Sequence, residues 1–391
     1  MENSVFEQLD QIDSQADPGE FLRQLAATIA NSGELHKLFD VKMLQKKHEL
    51  GLPLSRPSSL QDVPAEFRDE VEKTYISAAR EVGEQFLEKG DISSAWMYLQ
   101  VIREPEKVAD AIDQLPDNLD DYERMEEIIR IALYEGVNPP KAVRMMLNGH
   151  GTCSTITALE QSLPRMSQEN RQQCAKLMVR SLYNDLTSSV RRHVEQKVPL
   201  LAPDESLKSL LTGRDWICEG GNYHIDVSHL NSVVRFARSI EAPAEELDLA
   251  MQLATYGAKL DKTLQYDGEP PFEDFYPAHI HFFNILLNRQ REASLQYFRE
   301  KLAAEPDDQD KPLLAYVLVD LLIRSEQLAE AVELSAKYLS NLNEDVSISF
   351  DELCVKAGRL DVLKQTRREQ GDVVGYAAAC LREQPRTGPS L

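Results

Sequence analysis

Residues 83–99, GEQFLEKGDISSAWMYL, decide the fold class. From Glu66 the apolar residues recur at three and four, and the chain reads as helix through Lys89. Gly90-Asp91 breaks that helix. Ile92 to Arg103 resumes the same spacing until Glu104-Pro105 stops it. Helix, two-residue turn and helix make an αα-hairpin. Residues 313–339, LLAYVLVDLLIRSEQLAEAVELSAKYL, read as a second one. Strand signals are nearly absent; Tyr223-His224-Ile225 and Ser347-Ile348-Ser349 are at most short extended pieces.

These hairpins resemble tetratricopeptide repeats. That motif wants a small residue where the first helix meets the second, an aromatic further along the first, and alanine where the second packs back. Gly83, Phe86 and Ala95 stand at those positions. Phe298 and Pro306 match the late positions of another hairpin, and Ala331 matches the packing alanine of the next. A third, Phe350 to Cys380, turns at Gly358 and carries Leu363 at that place. Ser294, Ala331 and Leu363 lie 37 and 32 residues apart, bracketing the family's period of about 34. Leu322 departs from the pattern where an aromatic belongs. The resemblance implies an all-α array of antiparallel helical hairpins, an α-solenoid, and the binding of a protein or peptide.

Composition narrows the function classes. The 391 residues are 42% apolar and 28% charged, with a net charge of −22. That charge opposes nucleic acid and anionic membranes and favours a basic partner. Arg191-Arg192-His193 is the best basic run and is too short to offset it. Five cysteines without a CxxC pair are the usage of a reducing compartment. The acidic N-terminus has no cationic or apolar leader pattern, and the greasiest window, Leu313 to Ile323, contains Asp320 and is too short to span a bilayer. A cytoplasmic protein is the expectation.

Along the chain, residues 1–50 read as an N-terminal helical segment and 51–66, rich in Pro and Ser, as a linker. Residues 67–212 read as a helical array, 213–281 as an irregular central region, and 282–391 as the C-terminal hairpins. Walker A, GxGxxG, GxSxG, EF-hand and heptad patterns are missing, which disfavours nucleotide and α/β-hydrolase chemistry.

The irregular region is where chemistry would sit, because repeat frames are scaffolds and their interruptions are not. Residues 216–229, WICEGGNYHIDVSH, place His224, Asp226 and His229 in one short loop ahead of a helix that Ser228 would cap. Two imidazoles and a carboxylate suit Zn or Fe. Asp226 serves equally as a capping residue, and the histidines equally as polar ties. Residues 266–282, YDGEPPFEDFYPAHIHF, bring Glu273 and Asp274 ahead of a helix from about Pro277. His279 and His281 on it point about 200° apart, with His281 expected in packing. A helix-turn-helix over 231–240 and 244–260 would return the second segment to the first, so that Asp274 or His279 meets His224, Asp226 and His229 in one pocket. His150 and Cys153, beside Gly149 and Gly151, invite a thiol nucleophile or an oxyanion loop, although cysteine is commonly core filler.

Two readings result. The first is a tetratricopeptide-like scaffold for a protein or peptide, with no nucleic-acid or membrane partner. The alternative is a metal-dependent hydrolase or lyase, its divalent ion held by His224, Asp226, His229 and His279 and its general base Glu273 or Asp274.

Overall fold

The computed structural model describes residues 6–7, 9–12, 17–198, 201–202, 205–340 and 348–382. Helix accounts for 72% of the chain and no strand occurs among the described residues; a single bridge joins Asp267 and Asp274. No helix among them is long and apolar enough to cross a membrane. The chain falls into two compact units, residues 1–166 and 167–391.

In the first unit, α1 (Pro18–Ser32) starts at an Asp17 cap and ends at left-handed Gly33. Helix α2 (Leu35–Glu49) follows. The segment expected as a linker then lies within this unit. The buried Lys47 side chain donates to the carbonyls of Arg56 at 2.6 Å and Ser59 at 2.7 Å, and Leu52 and Val63 are buried. A buried ammonium without a counterion is tolerable only when its donors are taken up, and here carbonyls do so.

Helices α3 (Ala65–Glu88) and α4 (Ile92–Leu99) form the hairpin read from residues 83–99. Gly90 turns the chain at φ 75°, and the Asp91 carboxylate accepts from Ser94 N at 3.0 Å to start α4. Gly83 is small for a reason: a Cβ there would stand 2.7 Å from Leu99 Cγ. Ala95 is fully buried. Helices α5 (Glu106–Asp113), α6 (Tyr122–Ile129), α7 (Pro139–Gly149) and α8 (Gly151–Ser162) complete the unit, with one turn of π-helix over Arg130–Tyr134 after α6.

The second unit opens with α9 (Gln168–Glu195), whose apolar line Met178, Leu182, Leu186, Val190 and Val194 is fully buried. It packs against α10 (Leu207–Leu211), α11 (Val227–Phe236) and α12 (Glu245–Ala258) together. This three-way contact departs from simple neighbour-on-neighbour stacking. From α12 onward the packing is sequential, through α13 (Phe275–Leu286), α14 (Arg291–Ala304), α15 (Lys311–Arg324) and α16 (Leu328–Leu334). Beyond the undescribed residues 341–347 come α17 (Phe350–Lys356), α18 (Leu360–Glu369) and α19 (Val373–Arg382), the first begun by a Ser349–Glu352 capping box. Ser294, Ala331 and Leu363 are all buried.

Gly257 in α12 lets α13 approach. A Cβ there would run into the Tyr276 ring, and Tyr276, fully buried, donates its hydroxyl to Asn231 Oδ1 at 2.6 Å. The start of α11, the end of α12 and the start of α13 are thereby joined.

Candidate functional site

The irregular loop before α11 is held by side chains from two helices. Tyr256, fully buried in α12, accepts from the His224 backbone N–H at 2.9 Å and lies 3.0 Å from His224 Nδ1. Its hydroxyl hydrogen needs an acceptor, and Nδ1 supplies one. His224 Nε2 therefore carries the proton, which it gives to His193 Nδ1, 2.7 Å away on α9. The two imidazoles stack at 5.0 Å, and the Trp216 ring meets His193 edge-on. Lys197 Nζ sits 4.0 Å from the centre of the Trp216 ring. Burial, reinforced by His193, pulls His224 down to about 4, so it is neutral near pH 7. Every nitrogen of His224 is committed to this chain.

Asp226, and not Ser228, caps α11. Its Oδ1 accepts from Ser228 N at 2.8 Å, Ser228 Oγ at 2.5 Å and His229 N at 3.4 Å. The Ser228 hydroxyl bond holds the carboxyl below the usual range despite some burial. His229 therefore stands in the first turn, in contact with the cap through its backbone.

The second segment is also committed. Glu273 and Asp274 share Lys301, at 3.0 and 3.8 Å. Helix α13 begins at Phe275 rather than Pro277. His281 stacks on Tyr297 at 4.3 Å and bonds Ser294 Oγ at 3.1 Å, a packing role. Among the described residues no three His, Cys, Asp or Glu side chains are grouped to hold a metal ion. His224, Asp226, His229 and His279 thus do not come together as one donor set. His150 Nε2 faces Glu126 at 2.8 Å, while Cys153 is exposed on α8.

His279 lies elsewhere and in a different chemical setting. It is fully buried, with the Phe272 and Phe275 rings at 4.5 and 4.3 Å. Its Nδ1 is 2.6 Å from the Phe275 carbonyl. A carbonyl only accepts, so Nδ1 is the donor and Nε2 bears the lone pair. That Nε2 is buried and unpartnered. Burial first, then the Arg238 charge, holds the ring at about 3.

Arg238 follows α11 in a single 3-10 turn (Ala237–Ser239) that Arg324 clasps through the carbonyls of Arg238 and Ile240 at 2.8 and 2.5 Å. The Arg238 guanidinium lies over the Phe272 ring, 4.7 Å from its centre. Burial and the neighbouring Arg235 charge pull it down to about 10, so it stays a cation at pH 7. Among the described residues no carbonyl or carboxylate takes a hydrogen bond or ion pair from it. Arg238, Phe272, Tyr316 and Val317 form a wall common to two cavities, of about 430 and 490 Å³. The smaller one also has Arg235 and His279 in its lining and Tyr266, Leu313 and Tyr316 around it. Those last three are exposed by 46%, 61% and 38%.

Sequence reasoning gave no site role to His193, Tyr256, Arg235 or Arg238. The first two meet His224 only through tertiary packing. The arginines carry a local signal: RFAR, residues 235–238, puts two cations three apart on one helical face. No protein family, curated protein or solved structure matches this chain.

Proposed function

We propose that this chain is a helical-hairpin scaffold of the tetratricopeptide type that binds a protein or peptide at the mouth of the Arg238–His279 cavity. One observation carries the reading. Tyr266, Leu313 and Tyr316 leave large apolar surface in water around an open cavity, and such surface at a concavity is a docking feature more than a by-product of folding. The small buried residues at the hairpin contacts, Gly83, Ala95, Ser294 and Ala331, support the repeat character. The net charge of −22 favours a peptide with basic residues flanking one large apolar anchor. His224, expected as a metal ligand, bonds His193 and Tyr256, and Lys301 lies beside Glu273 and Asp274.

Selection of random displayed peptides on the full chain tests this, with a Leu313→Asp/Tyr316→Asp variant as the counter-selection. Circular dichroism on the variant checks that its helical signal is unchanged. Basic peptides with an aromatic or aliphatic anchor should be enriched on the wild type alone, and added salt should weaken them. Peptides that bind both proteins equally, or no enrichment, would remove the proposal.

A further inference from the structure

The floor of this cavity has two polar groups without a hydrogen-bond partner among the described residues. One is the guanidinium of Arg238, which makes no hydrogen bond or close ion pair among the described residues, although the Asp320 and Glu269 charges act on it from farther off. Because it lies over Phe272, its face is occupied and its in-plane N–H donors remain, in the fork that matches a carboxylate. The other is the buried lone pair of His279 Nε2. Arg235 lines the same cavity and lowers the proton affinity of Arg238 by its charge.

We propose that the floor is a receptor for a small organic monocarboxylate carried on a flat ring with its own O–H or N–H donor. The carboxylate pairs with Arg238, the ring lies against Phe272 and Phe275, and the ring donor reaches His279 Nε2. Each feature excludes something. A phosphate dianion brings a second negative charge to the floor. Glu269 and Asp310 in the lining oppose a second negative charge. A cavity of about 430 Å³ is within the size range of small-molecule sites.

The inference rests on the cavity being a binding site, as the scaffold reading has it, but not on the partner being a peptide. Calorimetry on the full chain with benzoate, 2-, 3- and 4-hydroxybenzoate, 4-hydroxybenzamide and inorganic phosphate tests it. At least one hydroxybenzoate should bind one-to-one, about tenfold tighter than benzoate and than the neutral amide. Arg238→Met should weaken that hydroxybenzoate by at least about tenfold, and Arg238→Lys, which keeps the charge without the fork, should fall between. His279→Phe should bind benzoate and hydroxybenzoate alike. Peptide selection and acid calorimetry are read separately on the wild type, so failure of one idea leaves the other visible. Wild-type protein that takes up none of the acids at millimolar concentration would overturn the proposal. So would phosphate binding as tightly as the best acid, or full affinity in folded Arg238→Met and Arg238→Lys.

Discussion

Lowering the pH from 7 to 5 should destabilise the second unit through His279. In the unfolded chain this imidazole takes up a proton near pH 6.5; in the fold it resists until about pH 3, because burial and then the Arg238 charge oppose the cation. The folded state therefore binds fewer protons between those values. The stability this gives is complete above about pH 6.5 and drains away as pH falls. At 1.36 kcal/mol per pKa unit, His279 alone removes about 2 kcal/mol between pH 7 and pH 5. His224, at about 4 and only half-buried, acts in the same direction with a smaller effect after screening by water. The test is the difference between wild type and His279→Phe in urea unfolding, in buffers free of carboxylates. Trp216 is the reporter, in a Trp96→Phe background, since these are the chain's two tryptophans and only Trp216 lies in the second unit. Carboxylates elsewhere titrate in both proteins and cancel. The gap between the two should shift by about 2 kcal/mol toward the variant at pH 5. Parallel behaviour to within about 0.5 kcal/mol would refute the buried neutral imidazole.

Two further substitutions probe the frame around the site. Gly257→Ala forces a Cβ into the Tyr276 ring and should cost about 1–3 kcal/mol by urea unfolding; if α12 and α13 do not approach there, the same change should instead stabilise by up to about 1 kcal/mol through helix propensity. Asp226→Ala removes the α11 cap and should cost about 1 kcal/mol, with Asp226→Asn recovering most of it, since an amide oxygen also accepts from the Ser228 and His229 backbone; equal losses in both would show that the carboxylate's charge, not capping, is what matters.

The legible parts of this chain are those fixed by local rules. Gly90-Asp91 announces a turn and a helix cap, and both occur, with Asp91 accepting from Ser94 N. The all-helical character follows from three-and-four spacing that strands cannot mimic. The irregular region was visible as an interruption, but the cap of α11 was expected at Ser228, with capping only an alternative role for Asp226, and it lies at Asp226. What stayed hidden depends on distant partners. His224 finds its acceptor 31 residues away on α9 and its donor 32 residues away on α12, and no spacing rule connects them. Lys47 gathers the Pro/Ser-rich stretch through backbone carbonyls, which composition cannot show. Counting histidines drew the eye to metal chemistry. The cavity instead owes its character to Arg238 and His279, which meet only once the chain has folded.

Photo-crosslinking locates the partner most directly. With p-benzoylphenylalanine in place of Tyr316, or of the first-unit residue Met97, which is 59% exposed, a peptide recovered by selection is irradiated on the full chain and the adducts are mapped. Peptide captured at position 316, competed by unlabelled peptide and absent at position 97, is the predicted result; capture at position 97 alone would contradict a binding mouth at Tyr266, Leu313 and Tyr316.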